Sequence, residues 1–193
     1  MCEERTIRHA LSKAVQKYRM ESPTFVRPKA LLALLALTLL ASALHFADNV
    51  IYFDDYPEPA WLSPVAVAVL WLPLAWVAMR AWHCVNHGEG ERGYLLVHGF
   101  ISGNLLSLGH YLFAAPWEVA TRINVAIAVQ VGMAALLLAT TLRQQARHAP
   151  ATLAGAARVW VENIGLLVLL VLGLEWFWPS KFSLWWLPSV QNT

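Results

Sequence analysis

The chain of 193 residues is 58% hydrophobic and only 13% charged, a balance that a water-exposed protein surface does not allow. Its apolar residues fall into blocks of about twenty, the length at which a helix crosses a hydrocarbon core of about 30 Å. The formal net charge of +2 is small and the basic residues form no continuous face, so nucleic acid is not expected as a partner. The composition therefore predicts an all-α, polytopic transmembrane helix bundle of about five spans.

Residues 1–28 form a basic segment in front of the first apolar block. Ile7, Leu11 and Val15 recur at helical spacing among lysines and arginines, a pattern typical of an amphipathic helix at a membrane surface. A disordered leader is the alternative, because Met20 offers a second translation start. In both cases the segment is predicted to lie on the cytoplasmic side.

Residues 29–178 are predicted to form the membrane-embedded bundle. The predicted spans cover about residues 29–53, 62–81, 94–114, 119–142 and 160–178. Residues 179–193 contain Trp185 and Trp186, which suits an interfacial C-terminal tail. Cleavage after the small residues at 41–43 is an alternative for the first span, but its apolar character resumes beyond them and completes a full crossing.

The distribution of lysine and arginine predicts the orientation of the bundle. Six of these residues precede the first predicted span and Lys29 begins it, and five flank the second and fourth connections: Arg80, Arg92, Arg143, Arg147 and Arg158. The other two loops carry only Arg122. The positive-inside rule then places the N-terminus in the cytoplasm and the acidic loop at residues 54–59 on the opposite side. A bacterial inner (plasma) membrane is the expected location.

Polar side chains inside the predicted spans mark the candidate site, because each costs several kcal/mol in lipid unless it finds a partner. His45, Asp48 and Asn49 share one face of the first span by their i, i+3, i+4 spacing. His110 lies at a similar depth on the third span, and Asn104 lies about 9 Å deeper. The sequence thus predicts a polar pocket that opens toward the outer leaflet and is lined by these five residues.

Three interpretations of this polar pocket stay open. In the first, it binds a small lipophilic molecule without a resident cofactor, and Asp48 pairs with a cationic group or orients His45. In the second, His45, His110 and Asp48 hold a haem or a transition metal. In the third, the side chains only hydrogen-bond one another within a structural or assembly subunit. Membrane lipid is an expected partner in each, and a homo-oligomer or a larger membrane complex is a further option.

Residues 57–61, Pro-Glu-Pro-Ala-Trp, lead into a proline-containing span, and a third span carrying Tyr94 and His98 follows. In this order of elements, over about residues 30–145, the chain resembles the EXPERA group, which includes the emopamil-binding sterol isomerases and the sigma-2 receptor. The resemblance implies four or more helices around a cavity for a sterol or another lipophilic, often cationic, molecule. The acidic residue that this family carries in the span after its Pro-Ala-Trp-like segment is missing here, since residues 65–77 contain no carboxylate. No catalytic assignment therefore carries over with the architecture, and isomerisation of the bound molecule stays an alternative in which His45 and Asp48 supply an acid and a base from the first span.

Overall fold

The computed structural model describes residues 29–59 and 61–177, apart from the side chains of residue 167 and residues 170–177. All regular elements in this part of the chain are helical: α1 (Lys29–Ile51), α2 (Pro64–Asn86), α3 (Gly90–Leu105), α4 (His110–Phe113), α5 (Thr121–His148) and α6 (Leu153–Phe177). Short 3-10 turns lie at Phe53–Asp55, Leu106–Gly109 and Pro150–Thr152. The predicted all-α class is confirmed for the described residues. The expectations for residues 1–28 and 179–193 lie outside them.

Three of the described helices, α1, α2 and α5, are long and apolar enough to cross a membrane. Their most apolar windows have mean hydropathies of 2.2, 1.7 and 2.1. Large apolar side chains on these helices also point away from the bundle, as Leu44, Val65 and Leu136 do. Since water disfavours such extensive apolar surface, the described part of the chain is a helix bundle with the character of a membrane protein.

The third predicted span, residues 94–114, is divided in the structure. α3 begins at Gly90 and ends at Leu105, and a 3-10 turn separates it from α4. Ser107 Oγ donates a hydrogen bond to the Asn104 carbonyl at 2.8 Å, and Gln130 Nε2 lies 3.4 Å from the same oxygen. Two side chains therefore converge on a carbonyl at the point where the regular helix ends. At about 24 Å, α3 alone is shorter than a hydrocarbon core of about 30 Å, so a crossing needs the turn and α4 as well.

Four helices extend beyond their predicted spans on the side of the basic connections: α3 and α6 begin early, at Gly90 and Leu153, and α2 and α5 end late. α2 continues to Asn86, and the chain then turns at Gly88, whose φ of 81° is readily adopted only without a side chain. α5 continues past Arg143 to His148. Charge ends a membrane span but not a helix, because a hydrated helix end tolerates arginine and histidine well.

α3 lies at the centre of the bundle, in contact with α2, α5 and α6, while α1 contacts α2 and α5. Close approach of α2 depends on Gly103, where an added Cβ would lie 2.6 Å from Leu74 Cδ1. The main core is built from fully buried apolar side chains of α1, α2, α3 and α5, including Leu31, Leu35, Tyr94, Phe100 and Leu137. This packing holds His45 of α1 beside His110 of α4, with 5.5 Å between their ring centroids, at the end of the bundle that carries the loop after α1.

Candidate functional site

A cavity of about 430 Å³ lies between α1, α2 and α3, near the 52–63 loop. Most of its wall is apolar, and the main apolar residues are Phe46, Leu62, Val67, Leu70, Pro73, Leu74, Val77 and Leu106. One side of the wall is polar and consists of His45, Asn49, Glu58, Ser107 and His110. The cavity therefore combines a hydrocarbon-like interior with a polar patch, as small-molecule sites commonly do.

The cavity opens sideways between α2 and α3. Leu70 of α2 and Leu106, directly after α3, both line it, yet they are 55% and 51% exposed on the outer surface of the bundle. The opening thus lies on a surface suited to lipid rather than to water.

His45 of α1 is held by a chain of amides that crosses the bundle. Its Nδ1 is hydrogen-bonded to Gln130 Oε1 of α5, and Gln130 Nε2 donates to Asn104 Oδ1 at 2.9 Å. Asn104 Nδ2 donates in turn to the Phe100 carbonyl at 2.8 Å. Because each amide donates through nitrogen and accepts through oxygen, the proton of the neutral imidazole lies on Nδ1 of His45. Its Nε2 then carries a lone pair and no proton. This buried atom has no hydrogen-bond partner within the described residues.

Glu58 comes from the loop and lies against the helices, with a side chain only 9% exposed. Its Oε1 accepts a hydrogen bond from Asn49 Nδ2 at 2.6 Å and lies 3.4 Å from His110 Nδ1. Burial raises the pKa of the Glu58 carboxyl, and the bond from Asn49 opposes part of that rise. The other amide atom of Asn49, Oδ1, is buried without a partner in the part of the chain that the structure describes.

Asp48 does not line the cavity. Its Oδ1 lies 2.6 Å from Arg122 Nη1, and its Oδ2 accepts a 2.6 Å hydrogen bond from the Tyr56 hydroxyl. Arg122 also pairs with Asp55 at 3.0 Å and lies 3.8 Å from the centre of the Tyr52 ring. Burial, and then the bond to Asp48, raise the pKa of the Tyr56 hydroxyl. These five residues form the loop clamp, which ties the 52–59 segment to α1 and α5.

The loop clamp also fixes one wall of the site. The Tyr56 ring lies 5.9 Å from the His45 ring and 5.3 Å from the His110 ring, measured between centroids. The two histidine rings are 5.5 Å apart. Tyr56 therefore packs against both histidines without lining the cavity itself.

The five residues predicted from the sequence take three different positions. His45, Asn49 and His110 line the cavity. Asn104 is fully buried and supports His45 through Gln130, while Asp48 pairs with Arg122 and not with His45. Glu58 and Gln130 complete the site but are absent from the predicted set. An uncharged amide in the middle of an apolar span signals Gln130, whereas no periodic pattern signals a loop residue such as Glu58.

The alternative ligand set for a metal or haem does not converge in this geometry. Among the described residues there is no group of three or more histidine, cysteine, aspartate or glutamate side chains placed to hold a metal ion. The His45 and His110 rings are nearly in contact at 5.5 Å, so a porphyrin plane does not fit between them. Asp48, the third predicted ligand, is engaged by Arg122 and Tyr56.

Comparison with protein-family models, with curated proteins and with solved structures found no match to this chain. The interpretation of the cavity therefore depends on its own geometry and chemistry.

Proposed function

We propose that this chain is a multi-pass membrane protein that binds a small lipophilic molecule in the cavity between α1, α2 and α3. The observation that carries this proposal is the pair of buried, unpartnered atoms on the polar side of an apolar cavity, Nε2 of His45 and Oδ1 of Asn49. A buried polar atom without a partner costs about 1–3 kcal/mol, so native proteins rarely keep one without a reason. A ligand that reaches both atoms supplies the missing partners.

The polar end of the ligand is a hydrogen-bond donor. Oδ1 of Asn49 is an acceptor, and Nε2 of His45 is an acceptor once Nδ1 donates to Gln130. Glu58 adds a carboxylate to the same wall. A hydroxyl or a protonated amine matches these groups, and a protonated amine gains most from the carboxylate. The apolar remainder of the wall suits a hydrocarbon body.

A second polar network in the bundle shows what purely structural hydrogen bonding looks like in this chain. His98 Nε2 bonds Gln145 Oε1 at 2.7 Å, and Trp160 Nε1 donates to His98 Nδ1 at 3.1 Å. Gln145 Nε2 bonds Thr152 Oγ1 at 3.0 Å. Every atom named here has a partner, and none of these four residues borders the cavity at His45. The His45 site differs because its own bonds leave acceptors open.

Proton transfer on the bound molecule is a second candidate function. His45 holds an unprotonated Nε2, while the burial of Glu58 raises its carboxyl pKa, and both line one cavity. A base and an acid facing the same ligand are the minimum for moving a double bond by deprotonation and reprotonation. Appearance of an isomer of the bound species with wild-type protein, but not with His45→Gln, would support this activity.

We also propose five crossings with the N-terminus in the cytoplasm of a bacterium and the cavity in the outer half of its inner membrane. α3, the 3-10 turn and α4 would form the third crossing, and α6 would form the fifth. The bias of arginine and lysine toward the N-terminal segment and the second and fourth connections supports this orientation. A ligand would then enter from the outer leaflet through the opening between α2 and α3.

The test is mass spectrometry of small molecules extracted from detergent-purified protein, with an absorption spectrum and elemental analysis of the same sample. Wild type is expected to carry one enriched lipophilic species, and Glu58→Gln is expected to retain about tenfold less, which corresponds to about 1.4 kcal/mol. Glu162→Gln is the matched control, because Glu162 lies on α6 outside the cavity and its side chain is 59% exposed.

Two results would replace the proposal. A Soret band or a stoichiometric metal that disappears in His45→Ala would favour a redox or metal protein. Absence of any enriched molecule, together with copurification of a larger membrane complex, would favour a structural or assembly subunit.

A further inference from the structure

A second cavity of about 370 Å³ lies between α3 and α6. We call it the α3–α6 groove; its lining includes Gly99, Ser102, Trp160, Asn163, Ile164 and Leu166. Its wall is mainly apolar, and the side chains of Ser102 and Asn163 are hydrogen-bonded to each other at 2.8 Å. With its polar side chains already paired, the groove offers hydrocarbon contacts rather than a site for a polar group.

The groove and the cavity at His45 meet on α3. Gly103 and Leu106 line both of them. Leu74 of α2 packs against Gly103, so the two spaces share their edge at Leu106, which is half-exposed. Along α3 the groove extends from Leu106 to Gly99, about 10 Å farther from the loop at the helical rise.

From this arrangement we infer that the ligand is an amphiphile with one long hydrocarbon chain, whose chain passes Leu106 and lies in the α3–α6 groove. The inference rests on the proposed binding function and specifies its substrate class. A head at Glu58 and a chain running toward the middle of the bundle reproduce the orientation of a lipid in the adjacent leaflet.

The sizes of the two spaces favour a long chain over a compact molecule. At about 430 Å³ and 370 Å³, each lies near the lower end of the range of about 300–1,000 Å³ found for ligand pockets. A short or compact ligand fills the cavity at His45 and leaves the groove to bulk lipid. A long chain uses both spaces and buries more apolar surface in the protein.

Photolabelling with two probes of different length tests the inference. Octylamine and hexadecylamine, each carrying a diazirine on the terminal carbon, are added to protein reconstituted in phosphatidylcholine vesicles, and mass spectrometry locates the adducts. The octylamine probe is expected to label cavity residues such as Phe46 and Leu74. The hexadecylamine probe is expected to label Trp160 or Ile164, and excess unlabelled hexadecylamine should abolish both signals.

Two blocking variants show whether the chain follows the proposed path. Ile164→Trp and Leu166→Trp both fill the groove and neither residue lines the cavity at His45, so each should remove hexadecylamine adducts from α6 and leave octylamine labelling of the cavity unchanged. Leu136→Trp is the control, because this residue is 56% exposed on α5 and borders neither space. It should leave both patterns intact.

The two proposals fail in different ways. Hexadecylamine adducts confined to the cavity, or α6 adducts that resist competition and both blocking variants, would overturn the long-chain inference while octylamine labelling upheld the binding function. Octylamine labelling that is neither competed nor weakened by Glu58→Gln would overturn the binding function itself.

Discussion

At the scale of single residues, the protonation of His45 is decided by a side chain from another helix. Gln130 is fully buried and offers its oxygen to His45 and its nitrogen to Asn104. Since an amide cannot reverse these roles without losing both bonds, it holds the imidazole in one tautomer. Gln130 of α5 therefore determines that the His45 Nε2 at the cavity wall carries no proton.

Replacing a buried glutamine by methionine, which has a similar size but no amide, distinguishes a loss of ligand binding from a loss of stability. Gln130→Met is expected to lower the free energy of unfolding by about 1–3 kcal/mol, because it leaves buried groups of His45 and Asn104 unpartnered. Gln145→Met, in the fully paired network, should cost a similar amount. Only Gln130→Met should also weaken ligand retention, measured beside thermal unfolding in detergent. Equal retention by both variants would contradict the role assigned to His45.

The raised pKa of Glu58 predicts how the stability of the ligand-free protein depends on pH. An acid with a folded-state pKa above its unfolded value of about 4.3 stabilises the fold fully below that value and loses this contribution as pH rises through the folded pKa. Thermal unfolding from about pH 4 upward should therefore show wild type losing stability relative to Glu58→Gln. A constant difference between the two proteins would show that burial does not penalise this carboxylate.

At the scale of elements, the loop clamp determines where Tyr56 and Glu58 lie. Arg122 connects the start of α5 to Asp48 on α1 and to Asp55 in the loop. The arginine is partly exposed at 37%, whereas Asp48 is 21% exposed. The pair with Asp48 is thus the better shielded of the two and holds α1 and α5 together at the mouth of the site.

Loss of the clamp should loosen the loop before it unfolds the bundle. Arg122→Gln is expected to cost about 1–3 kcal/mol, since Asp48 loses a charged hydrogen bond, and to speed amide hydrogen exchange at residues 52–59. Arg158→Gln breaks an ion pair whose side chains are 81% and 59% exposed, so it should change stability by less than about 0.5 kcal/mol. Unchanged exchange in Arg122→Gln would show that other contacts hold the loop.

The sequence predicts where the helices of this fold lie along the chain better than it predicts which residues contact one another in three dimensions. Blocks of apolar residues are sufficient to locate α1, α2, α5 and α6, because a helix in lipid needs a continuous hydrophobic surface. The break after α3 coincides with bonds from Ser107 and Gln130 to one carbonyl. A linear pattern does not contain such tertiary contacts, so the third span looks continuous in the sequence.

The same limit applies to the candidate site. Asp48 and Asn49 both lie near His45 on a helical wheel, but about 60° to one side and about 40° to the other. This separation lets Asn49 face the cavity while Asp48 faces Arg122. Spacing therefore places the three side chains within about 100° of one another and leaves undetermined which neighbouring helix each side chain meets.

At the scale of the whole molecule, the two polar networks lie at opposite ends of the bundle. The paired network of His98 and Gln145 lies toward the basic connections, and the open site at His45 lies beside the acidic loop. In the proposed orientation, the tightly bonded end faces the cytoplasm and the end with open acceptors faces outward. Ligand exchange would then involve only the outer half of the protein.

Cysteine labelling in intact cells tests this orientation. In a Cys2→Ser, Cys84→Ser background, Glu118→Cys is expected to react with a membrane-impermeant maleimide, because residue 118 lies on the same side as the loop clamp. Glu91→Cys, in the exposed first turn of α3, should react only after lysis. The reverse pattern would place the cavity in the inner leaflet and require a cytoplasmic source of ligand.

The contact between Leu74 and Gly103 has a consequence for how ligand choice could diversify. The branched side chain of Leu74 lies against Gly103, which has no side chain, and these two residues together limit the width of the cavity that they line. A smaller residue at position 74 would admit a bulkier molecule, and a methyl group at position 103 would exclude one unless Leu74 moved aside. Neither change touches the polar wall, so related proteins could recognise the same chemical group on molecules of different girth through a single substitution.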